Sequence, residues 1–226
     1  MSFAKKVEMV FVLTLGLASA AWAQRMGRGM GQAPNIPGTF KPVVGSGAQY
    51  EIDAKNQKME WTYVVVGKES VDGGDGYWME MRTDAGGKGE MVMKHLMVIG
   101  PGKAEIKRMI MQSAGQPPME MPMGMMQGMM KNKPPASSSG KGPHEMGEKV
   151  GTETVTVPAG TFLCEHYRSQ TEKGSADMWV STNVSPYGLV KMTSADTTMV
   201  LQKVLSNETS HIKGEPQKMN FEMPHF

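Results

Sequence analysis

Met119, Met121, Met123, Met125, Met126, Met129 and Met130 fall within twelve consecutive residues, M-E-M-P-M-G-M-M-Q-G-M-M. A thioether is a soft donor that suits Cu(I) or Ag(I), and M-x-M or M-x-x-M spacing in a flexible chain can wrap one ion. Further soft donors stand towards the two ends, Met26 and Met30 on one side, Met219, Met223 and His225 on the other. The same side chain is unbranched and adaptable, so the tract equally reads as a greasy loop over an apolar surface.

Methionine also recurs at every second position. Met79 and Met81 follow Tyr77 at that spacing, Met91, Met93 and Met97 bracket His95, and Met109 and Met111 follow Lys107. Residues two apart in a strand share a face. Three neighbouring strands would therefore bring Tyr77, Met79, Met81, Met91, Met93, Met97, Met109 and Met111 onto one surface, unless a β-bulge intervenes. Such a surface is either a packed core, since methionine fills irregular gaps, or a face that accepts variable apolar molecules such as acyl chains. Met91, Met93, His95 and Met97 have suitable donor types for a metal. Donors on a single strand rarely converge, however, and neighbouring strands would have to contribute.

Catalytic arrangements are sparse. Cys164 and His166 are two apart on an expected strand, but no residue nearby marks a group to orient the base or an oxyanion site. The reading is a half-buried thiol beside a satisfied histidine. His144, His211 and His225 fall in expected loops or tail. The glycines of Asp72–Gly76 and Ala85–Gly89 read as hairpin turns, because no phosphate-loop pattern G-x-x-x-x-G-K-[ST] is present. There is no H-E-x-x-H, no paired-cysteine motif and no dinucleotide fingerprint. No enzyme and no cofactor are expected, Cu(I) being the alternative.

Compartment follows from the first residues. Lys5 and Lys6 precede an apolar run from Val7 to Leu17, and Ala21-Trp22-Ala23 supplies a small-x-small cleavage pattern. This reads as a signal peptide over residues 1–23, cut between Ala23 and Gln24. The apolar run is shorter than the roughly 20 residues a membrane helix needs, so no transmembrane anchor is expected in the mature chain. Cys164, the single cysteine, is far from that cut and gives no internal disulfide. A periplasmic or secreted protein without a lipid anchor is expected. Near-neutral, intermixed charge gives no nucleic-acid surface.

The elements that must position these side chains are strands. Residues 24–46 are rich in Gly, Pro, Met and Arg without an apolar period and read as a disordered arm. Strands are expected at Ala48–Lys55, Met59–Lys68, Tyr77–Thr83, Gly89–Ile99 and Lys103–Gln112. Five more follow at Lys149–Val157, Thr161–Glu172, Ser175–Thr182, Gly188–Ser194 and Thr197–Ser206. Turn chemistry separates them, as at Asp72–Gly76 and Gly100-Pro101-Gly102. Val157-Pro158-Ala159-Gly160 and Ser185-Pro186-Tyr187-Gly188 both suit type I turns. Residues 113–147 form a long Met/Pro/Gly/Ser-rich loop that interrupts a single domain over 47–206, and the polar tail, 207–226, is expected to fray. The fold expected is mainly β: about ten antiparallel strands with little helix, curled into a half-barrel or open barrel.

The stretch Val157-Pro158-Ala159-Gly160-Thr161-Phe162, followed by Tyr167, Trp179-Val180-Ser181 and Pro186-Tyr187-Gly188-Leu189-Val190-Lys191, resembles a hairpin-bearing exported bacterial domain of unknown function. That domain is similar to the periplasmic carriers LolA and LolB, so the resemblance implies a curled half-barrel over an apolar cavity. It covers roughly Glu148 to Ser206. Residues and resemblance together lead to the expectation of non-enzymatic binding of an apolar or amphipathic envelope molecule or lipid. Tyr77 and the seven strand methionines would form its site, with Trp78 and Trp179 as packing aromatics. The alternatives are a Cu(I)/Ag(I) binder using Met119–Met130, and a structural or protein-docking envelope component.

Overall fold

The computed structural model describes residues 40–54, 57–84, 87, 89–100, 103–122, 124, 147–171 and 174–218. By contacts the chain separates into Met1–Asn35 and Ile36–Phe226, and every described residue belongs to the second unit. The expected signal peptide and its cut, and most of 113–147, lie outside the described residues.

Asp72 and Gly73 both take positive φ, 52° and 79°, the geometry of a type I′ hairpin turn whose twist matches the strands it joins. Local signals of this kind set out strands β1 (Gly47–Ala54), β2 (Gln57–Val71), β3 (Gly74–Asp84), β4 (Glu90–Gly100), β5 (Lys103–Ser113) and β6 (Met119–Glu120). The second run is β7 (Glu148–Val157), β8 (Gly160–Thr171), β9 (Gly174–Val180), β10 (Leu189–Thr193), β11 (Thr197–Leu205) and β12 (Gln217–Lys218). All ten expected strands are present, and no described element is a helix.

The strands form one sheet in the order β12-β6-β5-β4-β3-β2-β1-β11-β10-β9-β8-β7. Two meanders are joined where β1 pairs with β11, and the pairing is antiparallel except between β12 and β6. The sheet is not closed, because β7 and β12 stand at opposite ends of it. Cα atoms of β7 nonetheless come within 8 Å of β10 and β11. A flat sheet would hold β7 and β11 about 19 Å apart, so this end is rolled. Bulges at Lys149/Gly151 and Leu189/Lys191 supply local bend.

Apolar residues are buried on both faces. The first face carries Tyr50 and Tyr63, and Tyr187 packs edge-on to Tyr63 with ring centroids 5.9 Å apart. Tyr50 Oη donates to Leu189 O at 3.0 Å. Burial pushes all three phenols well above their ordinary range. The second face holds Trp78, Leu96 and Ile110, with Val66, Val71 and Ile212 packed against them.

Four expectations are corrected. Tyr187 belongs to a segment closed by Gly188 N donating to Val184 O at 2.7 Å, so the closing bond reaches one residue further back than a type I turn at Ser185–Gly188 requires. Residues 40–46, expected to be part of a disordered arm, are docked: Lys41 N donates to Pro186 O, Gly45 N to Val65 O, and Phe40 packs on Tyr77 and Tyr187. The stretch after Ser113 contains β6, held to β5 by pairing and by Arg108 donating to both Glu120 oxygens, at 2.7 and 3.1 Å. The tail does not fray over 207–218. It crosses the second face as a strap, fastened to Glu80, Arg82 and Gln112 by hydrogen bonds and to Pro118 O through Gln217 N.

Candidate functional site: a methionine face

Directly paired residues of antiparallel strands lie on the same face, so register shows which side chains share a surface. Met81 on β3 pairs with Tyr63 on β2 and Met93 on β4; Met93 pairs with Met111 on β5, and Met111 with Met119 on β6. The neighbouring row runs Val65, Met79, His95, Met109. Met91 lies in a third row opposite Thr83, and Met97 in a fourth opposite Tyr77 and Ile106. All eight residues expected to share a surface therefore do so. The bulge opposite Leu96/Met97 is absorbed by Lys107 of β5, leaving the parity of β3 and β4 intact.

The same face continues further than sequence reasoning reached. Met59 on β2 pairs with Ile52, Ile52 with Met199, Met199 with Met192, Met192 with Met178, and Met178 with Tyr167. Every one of the twelve methionines in the described strands is on this face. The second face buries Val64, Trp78, Val92, Leu96 and Ile110 instead. Period two was visible within β3, β4 and β5. Met59, Met178, Met192 and Met199 are isolated in their strands, and only pairing register relates them.

Coverage varies along the face. Met79, Met81, Met97 and Met199 are buried, Met91, Met93, Met109, Met111, Met119, Met178 and Met192 are half-buried, and Met59 is exposed. At the Tyr77 end lies an open depression of about 430 Å3 lined by Phe40, Pro42, Asp75, Tyr77 and Ile99, within the range of small-molecule sites. Around the methionine rows Glu80, Arg82, Lys94 and Arg108 alternate onto the second face, whereas Lys68 and Asp75 stand on the methionine face beside Tyr77 and pair with each other at 2.8 Å. His95 is the polar member of the Val65–Met109 row. Its Nδ1 is buried without a hydrogen-bond partner, and burial pushes the imidazole down to about 4, so it is neutral at pH 7.

The two packing aromatics are on the second face. Trp78 Nε1 donates to Glu69 Oε2 at 3.0 Å, with Lys94 and Arg108 over its ring. Trp179 stacks on His166, ring centroids 4.5 Å apart, with Lys191 over its other side.

Cys164 and His166 share a face but do not form a nucleophile–base pair. His166 Nδ1 lies 3.0 Å from Glu153 and Nε2 2.7 Å from Asp177, so two carboxylates occupy both ring nitrogens. The buried Cys164 thiol donates weakly to Phe162 O, and burial, then the charge of Glu153, pushes it up to about 11. Burial raises Asp177, but hydrogen bonds from His166 and Arg168 outweigh that and hold its carboxyl below the usual range.

Of the Met119–Met130 tract, Met119 lies in β6 and Met121 N donates to Met109 O at 2.9 Å. Met123, Met125, Met126, Met129 and Met130 lie outside the described residues. Among the described residues no group of three or more His, Cys, Asp or Glu side chains is arranged to hold a metal ion, and no helix is long and apolar enough to cross a membrane.

No protein-family model matches the sequence, and no curated protein matches it. Solved structures similar to this chain include the following two. One is from Parabacteroides distasonis, described as a "putative lipoprotein": 15% identity, TM-score 0.37, covering 76% of this chain and 100% of its own. The other is from Bacteroides fragilis, described as a "putative exported protein with YmcC-like fold": 16% identity, TM-score 0.35, covering 74% and 98%.

Proposed function

We propose that this is an exported, non-enzymatic protein that binds an apolar or amphipathic molecule of the cell envelope on its methionine face. One observation carries the reading. Both faces bury apolar residues, yet all twelve described strand methionines are on one of them. A filler of core gaps would be used on both sides, and the second face is filled without it. Unbranched thioethers in contiguous rows make a surface that re-packs around chains of differing shape. The depression beside Tyr77 gives such a molecule a way in, and half-buried Met91, Met93, Met109 and Met111 give it contact area. Export is supported by the basic-apolar-small pattern of residues 1–23, and the LolA/LolB resemblance of the C-terminal half supports carriage of an apolar ligand.

The test is saturable binding of a fluorescent fatty acid, cis-parinaric acid, by the purified protein. Saturation is expected, and Met93→Glu, which puts a charge at the centre of the face, should weaken it by at least about 10-fold, the equivalent of 1.4 kcal/mol. Absence of saturable binding, or a Met93→Glu variant that binds as the parent does, rejects the proposal.

A further inference from the structure

We infer that His95 and the thioethers paired with it form a binding site for a soft monovalent cation, Cu(I) or Ag(I). The site is separate from the Met119–Met130 tract and does not depend on the apolar-ligand reading.

His95 stands in the middle strand of β3, β4 and β5. Met79 and Met109 are directly opposite it on either side, and Met93 and Met97 flank it along β4. Directly opposed residues have Cβ atoms about 4.5–5.5 Å apart. A methionine with three rotatable bonds can carry its sulfur across that gap towards the ring between the two strands. Donors on one strand diverge; donors on three neighbouring strands, all on one face, converge on the residue at the centre. The register places the single imidazole there.

The second observation is the orphaned atom. A buried polar group without a partner costs about 1–3 kcal/mol, and buried polar side chains nearly always find one. The imidazole Nδ1 has none, although its neighbours include several flexible side chains. Those neighbours offer sulfur, which is a poor hydrogen-bond acceptor and a good soft ligand. The surroundings suit a metal in a way they do not suit a hydrogen bond.

The donor set also selects the charge of the ion. One neutral imidazole and several thioethers carry no negative charge, and Glu80, Arg82, Lys94 and Arg108 all lie on the other face. A divalent cation would arrive in an apolar setting with both charges uncompensated, at a large desolvation penalty. Hard cations lack oxygen ligands here. A polarizable monovalent ion with few ligands fits both limits.

The experiment is a titration of the protein with silver nitrate in chloride-free buffer. It is followed by NMR of the methionine methyl groups and the imidazole nitrogens. The first equivalent is expected to move the His95 ring resonances together with the methyls of Met79 and Met109. Met79→Leu/Met109→Leu keeps apolar volume, a swap that cores tolerate, and removes two sulfurs. It should weaken silver binding by at least about 100-fold, the loss that even outer partners of a metal ligand can carry. If Met79, which is fully buried, does not tolerate the change, Met109→Leu alone and His95→Leu give the same comparison.

The inference is overturned if the first equivalent moves only methionines of the Met119–Met130 tract, or if the leucine variants bind silver as the parent does. Silver bound at His95 by a protein that takes up no fatty acid leaves this site standing and removes the apolar-ligand proposal. Fatty-acid uptake with no silver response at His95 does the reverse.

Discussion

His95 carries an energetic sign that separates a structural residue from a functional one. A histidine that braces its strands makes hydrogen bonds, and losing it destabilises the fold. An imidazole nitrogen buried beside thioethers with no partner costs the metal-free protein stability, of order 1–3 kcal/mol. His95→Leu is therefore expected to raise the urea midpoint of the metal-free protein at pH 7, by the equivalent of about 1 kcal/mol, while removing silver binding. A lowered midpoint would identify His95 as a brace and count against the site. In the sequence, Met91–Met97 showed suitable ligand types around this histidine, but not which strands would lie beside it. That depended on register across two hairpins and on Lys107, rather than a residue of β4, taking up the bulge.

At the scale of elements, the strap over 207–218 depends on one buried ion pair. Glu80 is 1% exposed and Arg82 6%. Arg82 Nε donates to Glu80 Oε1 at 2.8 Å, Nη1 to Glu208 at 2.7 Å and Nη2 to Thr209 O at 2.6 Å. Glu80 accepts in turn from Ser210 Oγ and His211 N, and Ile212 then closes over Trp78, Leu96 and Ile110. Arg82→Ala would leave Glu80 buried and unpaired, a loss of about 3–5 kcal/mol. It is expected to lower the urea midpoint sharply and to make the chain beyond Asn207 quick to proteolysis. Unchanged proteolysis would mean that the strap is held by other contacts. This element was hidden in the sequence for a clear reason. In Y-W-M-E-M-R-T the alternation sets Glu80 and Arg82 opposite the methionines, which reads as a solvent face, and two-residue strands such as β6 and β12 have no period to detect. The ten longer strands were legible because turn residues such as Asp72-Gly73 bound them.

For the whole molecule, an open sheet with free ends is held at its margins by charge. At one end Arg108 fastens β6 through Glu120, and at the other Lys149 and Tyr167 bind Glu165 across β7 and β8. The hydrogen bond from Arg108 holds the Glu120 carboxyl below its ordinary value of 4.5, and that from Lys149, then Tyr167, does the same for Glu165. Because the folded values are depressed, their contribution is complete above about pH 4.5 and is lost as pH falls through those values. Stability measured by urea unfolding should be level around neutrality and fall below pH 4.5, and Glu120→Gln should shallow that fall while lowering the neutral plateau. An acid limb unchanged by the variant would reject this account. The outer strand β7 is otherwise polar, with Glu148, Lys149 and Glu153 exposed beside Val150, charges that discourage another chain from adding to the edge.

The segregation of methionine has a chemical consequence of its own. Peroxide turns a thioether into a sulfoxide, which is polar and chiral, and this sheet confines its strand thioethers to one side. On the other side the side chains beneath the strap, Trp78, Leu96 and Ile110, offer no sulfur to oxidise, and the thiol of Cys164 is buried away from them in β8. An oxidant would rewrite the half-buried Met91, Met93, Met109 and Met111 and convert a soft, apolar surface into a wet one. The core beneath the strap would keep its composition. Oxidative damage would then change what the face can hold well before it changed whether the sheet stands.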